Sequence, residues 1–457
     1  MNRRHFFTTA TGVAGTGMLA GCTALLDGAS RQSETESATE TITDRIPEDA
    51  IDITDHGADP TGSESVVPVL EQVAVDGEAV YFPEGRYLVD ETWVLRDFSD
   101  FKMFGPEAII EPVEGFDEHI FRFESVEQPA SLQFEGFTYD YTKPLTGGRM
   151  IQARVSESLT VRDVSATGVV DILPSLVRLD VTEPGGHGLV ERLSLPDGAA
   201  GGTRLTGCYV GNISYGDFTF VDCHIANFPD NGLYADPPGG SITVEGGYFA
   251  NCGISCVRLR GDSLVSGAHI RCDSTERGFD NMRGIRLTDY ESQLNQAPTV
   301  VEDCFVEVID VTHSDAAIEL SSLLNEGIIR NTHVHVDADD VAAIRAKSPD
   351  ETLLTANQIP QLRCENVTIT GSGSEEAAVL ITERDQCSFD ELCIHQTGVN
   401  RNGIELRRSA DAVVSNSYIN VTGEPIELSD STVDSTNLRT QPVETASHDS
   451  PNSGHCE

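Results

Sequence analysis

Lysine is almost absent from this 457-residue chain: Lys102, Lys143 and Lys347 are the only three, and the other 27 basic residues are arginines. Acidic residues outnumber basic ones by 74 to 30, which gives a formal net charge of −44. Binding to nucleic acid needs clustered cations that neutralise phosphates, so this composition argues against a nucleic-acid partner. Long apolar runs are also missing, and the uncharged stretch that ends near Ala20 is too short to span about 30 Å of hydrocarbon.

An acidic surface that is poor in lysine is expected of a protein that stays soluble in very high salt. In molar salt the Debye length falls to about 3 Å, so the repulsion among the acidic side chains is screened. The composition therefore predicts a salt-loving source, a haloarchaeon. The alternative is an acidic protein from an organism that lives at moderate salt.

The N-terminus carries two export motifs. Arg3-Arg4 before Phe6-Phe7 resembles a twin-arginine signal, and Leu19-Ala20-Gly21-Cys22 resembles a lipobox, whose cysteine becomes lipidated. We therefore expect residues 1–22 to be a signal peptide and Cys22 to anchor the protein at the extracellular face of the cell membrane. Residues 23–48, rich in Ser, Thr and Glu, are interpreted as a disordered tether, and residues 431–457 as a disordered tail.

A six-residue phrase recurs from about residue 130: apolar, any residue, Gly/Asp/Asn, small or apolar, any residue, apolar. Alternation with period two marks half-buried strands, and the turn residues bound each run. The instances that match or nearly match this phrase begin at Phe134, Val161, Val190, Leu205, Phe220, Val244, Val265, Val301, Ile329, Cys364, Phe389 and Val414.

A second pattern, a small residue followed by apolar, any and apolar residues, lies between these runs. Its spacing approaches the length of ~20–25 residues that a coil of three short strands would need. The sequence therefore predicts that residues 49–430 form one all-β solenoid, a single-stranded parallel β-helix of about ten rungs. The apolar anchors of this pattern are Leu233, Val257, Ile285, Ile318, Ile344, Val379, Ile404 and Ile426.

The segment before the repeats resembles the N-terminal region of the pectate lyase superfamily of right-handed parallel β-helices. The resemblance rests on the run from Asp52 to Gly62, an amphipathic helix near residues 64–75, and Val80-Tyr-Phe-Pro-Glu-Gly-Arg-Tyr87. It implies a right-handed solenoid with a helix over its N-terminal end. The superfamily holds lyases, glycosidases, epimerases, tailspikes and adhesins, so the fold leaves the function open. Gly186-His187-Gly188 matches only one element of the glycosidase pattern and is interpreted as a turn.

Alternation along the second pattern predicts which side chains point outward. Arg258, Arg260 and Arg286 then fall on neighbouring rungs about 4.8 Å apart, where their side chains would meet. Guanidinium groups bind carboxylates through paired hydrogen bonds, so a uronic-acid polymer is the natural ligand. The residues assigned to substrate binding around the arginines are Asp230, Asn231, Tyr234, Asp236, Asp262 and Arg283.

Cleavage by β-elimination needs a neutralised substrate carboxylate, a base for the C5 proton and an acid at the leaving oxygen. Arg258, Arg286 and Arg260 are the candidate catalytic residues, because the resemblance to polysaccharide lyases implies that an arginine can act as the base. It also implies Ca²⁺ as a cofactor, for which Asp230, Asp236 and Asp262 could supply oxygens. Hydrolysis is the less favoured reaction. The alternative function is that of a non-catalytic surface or adhesive protein, in which each arginine pairs with an acidic neighbour on the next rung.

A second outward column is rich in rings and adds Tyr248 and His269 to the candidate substrate-binding residues. Flat rings can stack on pyranose rings, although aromatic residues are also common at exposed strand positions. Insertions at residues 270–300 and 345–362 are expected to form the walls of a groove. The predicted column is Tyr209, His224, Tyr248, His269, Phe305, His333 and Tyr418.

Four of the eleven cysteines fit the repeat as core residues. Cys208, Cys223 and Cys304 are predicted to share one inward position of the phrase, and Cys364 fills its first apolar position. The cysteines left for at most one or two disulfide bonds are Cys252, Cys256, Cys272, Cys387, Cys393 and Cys456.

Overall fold

The computed structural model describes residues 41–170, 175–289, 297–350, 352 and 359–442. The predicted signal peptide, the lipidation site Cys22, most of the tether and most of the tail, with Cys456, lie outside these residues. In the described part of the chain no helix is long and apolar enough to cross a membrane.

The described residues between 42 and 442 form a right-handed parallel β-solenoid of about 13 coils with very little helix. The strands of each coil belong to three parallel sheets, here called A, B and C, and every strand is in parallel register with the strand of the next coil. The fold class predicted from the sequence is therefore confirmed, whereas the predicted number of ten rungs is too low.

Among the described residues, sheets A and B have fifteen strands each and sheet C has thirteen. Sheet A contains Ile51–Asp52, Ala79–Tyr81, Asp100–Phe104, Ser131–Glu135, Ser158–Arg162, His187–Glu191, Asp217–Val221, Ile242–Glu245, Leu264–Ser266, Thr299–Glu302, Glu326–Arg330, Gln361–Glu365, Ser388–Asp390, Ala412–Ser415 and Val433–Thr436. Sheet B contains Thr61–Ser65, Gly85–Val89, Ala108–Pro112, Thr138–Asp140, Ser165–Thr167, Ser194–Leu195, His224–Ala226, Tyr248–Ala250, His269–Asp273, Phe305–Asp310, His333–Val336, Thr368–Gly371, Cys393–Gln396, Tyr418–Val421 and Arg439–Pro442. Sheet C contains Trp93–Arg96, His119–Ser125, Arg149–Val155, Ser175–Val181, Thr206–Val210, Asn231–Ala235, Ser255–Leu259, Arg283–Leu287, Ala316–Leu320, Ala342–Ala346, Ala377–Thr382, Asn402–Arg407 and Ile426–Ser429.

The recurring phrase is the turn from sheet A to sheet B. In eleven of its twelve instances the third residue adopts a positive φ, from 94° at Gly136 to 48° at Asp222. This left-handed conformation is accessible to Gly at no steric cost and is tolerated by Asn and Asp, which explains the composition of that position. The residues before and after the turn are the inward-facing apolar residues of the two strands.

The twelfth instance, which begins at Leu205, was assigned wrongly. Its residues lie in sheet C, where Cys208 pairs with Leu233 and Tyr209 with Tyr234. Cys208 therefore does not share the position of Cys223 and Cys304, although it is buried as expected. The phrase matched by chance because an interior sheet C strand also alternates apolar and polar residues.

The predicted number of ten rungs is too low because the coils at the two ends of the solenoid do not match the recurring phrase. Before residue 130 the turns from sheet A to sheet B contain prolines, Pro83 and Pro106, directly after the third position of the phrase, which Phe82 and Gly105 occupy. At the other end the strands Val433–Thr436 and Arg439–Pro442 continue the solenoid beyond residue 430. Ahead of the first coil, the helix Ile42–Arg45 lies in the predicted tether, and its Arg45 forms an ion pair with Glu135 at 2.8 Å.

The predicted amphipathic helix spans Val67–Val73 and buries Val67, Leu70 and Val73 on one face. It packs against the 3₁₀-helix Ile53–His56 and the first strand of sheet C. Asp52 caps the 3₁₀-helix by accepting a hydrogen bond from Thr54 N at 2.9 Å, and Gly57 ends it with φ 95°. The aspartate and glycine of this motif are thus explained by local backbone geometry.

The interior is a continuous apolar column that also holds the cysteines. Of the six cysteines left for disulfide bonds, Cys252, Cys256, Cys272 and Cys387 are buried free thiols, so none of these four forms a disulfide bond. Cys256 Sγ lies 3.7 Å from Cys272 Sγ. The Gly-His-Gly segment at residues 186–188 was interpreted as a turn, but His187 and Gly188 begin the strand His187–Glu191 directly after a turn.

Candidate functional site

The candidate site lies on the outer face of sheet C, where polar side chains from successive coils stand in register. The row runs through Tyr209, Tyr234, Arg258, Arg286, Glu319 and Arg345. From Tyr234 onward this is the row predicted from the alternation of apolar anchors. We call the following residues the central cluster: Tyr234, Asp236, Arg258, Arg283, Arg286, Asp315, Glu319 and Lys347.

Arg258 is fixed between a ring and a carboxylate on the preceding coil. Its Cζ lies 4.3 Å from the centroid of the Tyr234 ring, and its Nε and Nη2 reach Asp236 Oδ2 at 2.9 and 2.6 Å. The ring of Tyr209 lies 5.1 Å from that of Tyr234, in an edge-to-face arrangement. Because these contacts occupy the ring of Tyr234, its role is to position Arg258 rather than to stack on a sugar.

Glu319 is the central carboxylate of the cluster and is fully buried, with a side-chain exposure of 0%. It lies 2.5 Å from Arg283 Nε, 2.8 Å from Lys347 Nζ and 3.2 Å from Arg286 Nε. The contact with Arg286 is close enough for an ion pair, but neither Arg286 Nε nor Glu319 Oε1 forms a hydrogen bond. Burial is the main reason why the pKa of Arg286 is lowered.

Asp315 completes the cluster. It lies in the turn directly before the strand Ala316–Leu320, which also carries Glu319. It pairs with Arg283 and with Lys347, whose Nζ lies 2.9 Å from its Oδ2. Burial opposes the ionisation of Asp315, but the hydrogen bond from Lys347 and the charge of Arg283 outweigh it and hold the pKa well below its usual value. The aspartate is therefore ionised throughout the physiological range.

Each of the three predicted catalytic arginines thus has a carboxylate within 4 Å. Arg260 is buried, its Nη2 lies 3.9 Å from Asp289, and its Nε and Nη1 form no hydrogen bond. The pattern of one acidic neighbour per arginine agrees with the alternative stated from the sequence, that of structural ion pairs. The incomplete hydrogen bonding of Arg260 and Arg286 does not agree with purely structural ion pairs, because buried polar groups normally have hydrogen-bond partners.

Of the remaining predicted residues on this face, Asp230 and Asn231 lie at the edge of the central cluster, whereas Asp262 lies in a turn. Asn231 is buried, donates to Asp230 Oδ1 and accepts from Ser255 Oγ at 2.6 Å, so it supports the edge of the cluster. Asp262 is exposed in a turn with φ 60°. Among the described residues no group of three or more His, Cys, Asp or Glu side chains is placed to hold a metal ion, so Asp230, Asp236 and Asp262 do not form the calcium site suggested for them.

Asp236 and Tyr234 both have perturbed acidity. Burial raises the pKa of the Asp236 carboxyl to about 6, and the nearby Arg258 only partly offsets it. Burial likewise raises the pKa of Tyr234 to about 12. At neutral pH the cluster therefore holds an aspartate close to its titration point beside a phenol that keeps its proton, which is the combination that general acid–base chemistry uses.

We expect Asp236 to make the protein less stable as the pH rises from 4 to 7. Its folded-state pKa of about 6 exceeds the usual 3.8, so its contribution to the free energy of unfolding is present below pH ~4 and lost as pH rises through ~6. The difference in free energy of unfolding between Asp236→Asn and wild type should shift by about 2–3 kcal/mol in favour of the variant when the pH is raised from 4.5 to 7.5. Chemical denaturation at the two pH values measures this shift. Asp390→Asn is the control of opposite sign, because hydrogen bonds from Ser415 and Asn416 lower the pKa of Asp390.

Tyr248 and His269 lie on sheet B and not beside the arginines. Their column contains His224, Tyr248, His269, Phe305 and His333, with successive ring centroids 5.0–5.2 Å apart. The rings pack against one another along the solenoid axis. Tyr209 was placed in this column wrongly, since it belongs to sheet C, whereas Tyr418 continues the column further on, after Thr368 and Cys393.

The two predicted groove walls begin at the same edge of sheet C. Residues 288–298 and 347–360 both connect the end of a sheet C strand to sheet A, and parts of both connections lie outside the described residues. Sequence reasoning missed Asp315 and did not assign Lys347 to the site. The rarity of lysine was a usable signal, because one of only three lysines falls on this face.

Comparisons with known proteins identify the fold only. No protein-family model matches the sequence, and no curated protein matches it. Among solved structures, the A-module of the Azotobacter vinelandii mannuronan C-5 epimerase AlgE4 has 12% identity and a TM-score of 0.50, covering 85% of this chain and 97% of that one. The N-terminal fragment of bacteriophage Phi29 gene product 12 has 14% identity and a TM-score of 0.51, covering 88% and 73%. The Streptococcus pneumoniae surface adhesin PfbA has 14% identity and a TM-score of 0.47, covering 86% and 97%.

These neighbours are pectin-lyase-like right-handed β-helix proteins. The chain shares their fold. At 12–14% identity the likeness carries no assignment of ligand or reaction.

Proposed function

We propose that the protein binds an acidic polysaccharide along the outer face of sheet C, at the central cluster. The observation that carries this proposal is Arg286, whose side chain is 24% exposed and whose Nε forms no hydrogen bond with the carboxylate beside it. The exposed part of this guanidinium keeps hydrogen-bond capacity for a ligand carboxylate.

The charge of the cluster also supports an anionic ligand. Six cationic side chains of this face have four ionised acidic neighbours. A fifth acidic neighbour is Asp230, whose pKa is raised mainly by burial. The patch is therefore close to neutral, whereas the whole protein has a charge of −44. High salt would screen the long-range repulsion of a polyanion while leaving partly buried contacts effective. The cationic residues are Arg258, Arg260, Arg283, Arg286, Arg345 and Lys347, and the ionised neighbours are Asp236, Asp289, Asp315 and Glu319.

The geometry suits a polymer because the row repeats at every coil, about 4.8 Å apart. A repeating chain of uronate residues laid along the solenoid axis would meet arginines on three of the four coils from Arg258 to Arg345. A mannuronan C-5 epimerase module has the same fold, which agrees with a polysaccharide ligand but leaves the reaction open.

The binding proposal is tested by calorimetric titration in molar salt with polygalacturonate and alginate, and with dextran as an uncharged polymer. We expect both uronate polymers to bind and dextran not to bind. The double variant Arg258→Gln/Arg286→Gln should weaken binding about tenfold or more, because two charge-assisted contacts are lost.

Arg330→Gln is the matched control, since Arg330 is a half-exposed arginine of sheet A that pairs with Glu302. Equal binding of dextran would contradict the proposal. So would an equal loss of affinity in the control, because it would reflect total charge rather than the central cluster.

A second candidate function, β-elimination, is favoured by the raised pKa of Asp236 next to Arg258 and Tyr234. Here Asp236 would accept the C5 proton, the C4–O bond would break as the C4=C5 double bond forms, and Tyr234 would protonate the leaving oxygen, while Arg258 and Arg286 neutralise the substrate carboxylate. Asp236 replaces the arginines as the base, because its pKa lies nearest to neutrality.

Unsaturated uronate ends absorb near 235 nm, so the reaction is followed directly with the same polymers, with and without calcium. A rise in absorbance that disappears in Asp236→Asn but persists in Arg330→Gln would support the lyase. A constant absorbance in all cases, with binding intact, would leave a non-catalytic surface or adhesive glycan-binding protein.

Export by the twin-arginine pathway and lipid anchoring at Cys22, in a haloarchaeon, are part of the same proposal and rest on the sequence motifs and composition. We expect Cys22→Ala to release the protein from the membrane fraction into the medium. Retention of this variant in the membrane would contradict lipid anchoring.

A further inference from the structure

A second group of polar residues occupies the outer face of sheet C nearer the N-terminus, three coils before Arg258. Three consecutive strands, His119–Ser125, Arg149–Val155 and Ser175–Val181, place three outward side chains each in register. We call these nine residues the N-terminal cluster: His119, Arg122, Glu124, Arg149, Gln152, Arg154, Ser175, Arg178 and Asp180.

The N-terminal cluster carries an excess of positive charge. Among the described residues four arginines face two carboxylates, Glu124 and Asp180. Arg122 pairs with Glu124, Arg154 lies between the two carboxylates, and Arg178 Nε donates to Asp180 at 3.0 Å. Arg96, which pairs with Glu124 at 3.3 Å, and Glu118, beside His119, flank the cluster and leave this excess unchanged. Burial and Arg149 lower the pKa of His119 to about 4, so the histidine adds no charge at neutral pH.

Arg149 has no carboxylate partner among the described residues, and only 5% of it is exposed. Its guanidinium contacts Gln152 Oε1, His119 Nε2 at 3.0 Å and the carbonyl oxygen of Ser175 at 3.1 Å, which are all neutral groups. Burial and the nearby Arg178 lower its pKa to about 10, so it remains charged at neutral pH. A buried guanidinium surrounded by neutral acceptors and other arginines is electrostatically costly unless an anion approaches it.

Three buried donors in the N-terminal cluster form no hydrogen bond: Arg122 Nε, Arg154 Nε and Ser175 Oγ. They come from three neighbouring strands of one face, His119–Ser125, Arg149–Val155 and Ser175–Val181. Orphaned donors of this kind are rare in folded proteins. Together with the unpaired charge of Arg149 they indicate a ligand that supplies several acceptor oxygens and negative charge.

We infer that the N-terminal cluster is an oxyanion-binding site for a carboxylate or sulfate group, separate from the central cluster. Arg122 and Arg178 stand two coils apart on either side of Gln152, so their guanidinium groups can bind one anion from both sides. Arg178 also lies over the ring of Tyr209, 5.3 Å from its centroid, which connects this site to the row of the central cluster. The inference does not require that a polysaccharide binds at the central cluster.

Calorimetric titration of the full chain with sodium sulfate and with sodium glucuronate, in sodium chloride of constant ionic strength, tests the site. We expect one anion per chain, and about tenfold or more weaker binding in Arg122→Gln and in Arg178→Gln, because each removes a charged donor. Both side chains are partly exposed, at 27% and 16%, so these variants should fold. Arg330→Gln on sheet A should leave the affinity unchanged.

A glucuronate oligomer in the same titration distinguishes the source of the anion. Tighter binding of the oligomer than of the monomer would assign the site to a polymer, and equal binding would assign it to a free anion. Absence of binding by both sulfate and glucuronate would overturn the inference, as would an equal loss of affinity in Arg330→Gln. Anion binding that survives when uronate polymers fail to bind would separate this site from the proposed function.

Discussion

Replacing Arg384 with methionine is expected to lower the free energy of unfolding by about 3 kcal/mol or more. Arg384 is fully buried and donates to the carbonyl oxygens of Ser321, Asn325 and Lys347 at 2.9, 3.1 and 2.8 Å. These carbonyls lie in the connections of two preceding coils, so one side chain ties three turns together. Methionine fills most of the volume but leaves the carbonyls without donors in the interior.

Arg408→Met provides the control for this substitution. Arg408 lies in the corresponding connection of the next coil, but its side chain is 60% exposed and pairs with Glu383. Exposed ion pairs contribute about 0–1 kcal/mol, so this variant should remain close to wild type in chemical denaturation in molar salt. Similar stability of the two variants would mean that Arg384 does not hold the turns.

Glu319→Gln is expected to destabilise the protein by about 3 kcal/mol and to strengthen binding of a uronate polymer. The isosteric amide removes the buried charge that faces Arg283, Arg286 and Lys347, and breaking a buried ion pair on one side typically costs about 3–5 kcal/mol. The same change leaves the central cluster with one more net positive charge, which favours an anionic ligand.

The two effects of Glu319→Gln have opposite signs, so one variant separates stability from binding. Glu302→Gln, which removes the partner of Arg330 on sheet A, should change neither by a comparable amount. Weaker polymer binding in Glu319→Gln, with the fold intact, would mean that the carboxylate itself takes part in recognition and that the arginines act only as its counter-ions.

The fold was predictable because its determinants are local. The turn from sheet A to sheet B needs a residue with positive φ in every coil, and that need appears in the sequence as Gly, Asp or Asn at a fixed place. Where another local solution is used, as with Pro83 and Pro106 in the first coils, the repeat could not be recognised. The phrase at Leu205 shows the opposite error, since six residues of alternating strand also satisfy it.

The site was predictable only in part. Alternation placed Arg258 and Arg286 in one row correctly, because sheet register follows from the apolar anchors. Asp315 lies in a turn whose conformation the pattern does not specify, so its contacts with Arg283 and Lys347 could not be foreseen. The N-terminal cluster was missed because the sheet C anchors were recognised only from Leu233 onward.

The scarcity of lysine allows a direct test of where an acidic polysaccharide lies. A carbodiimide couples a uronate oligomer to amines, and the lysines of the chain are Lys102, Lys143 and Lys347. Lys347 belongs to the central cluster, whereas Lys102 pairs with Asp100 on sheet A and Lys143 with Glu111 on sheet B. Peptide mass spectrometry of the cross-linked protein should find the sugar on Lys347, with competition by free polymer. Coupling at Lys102 or Lys143 alone would contradict binding of the polysaccharide at the central cluster.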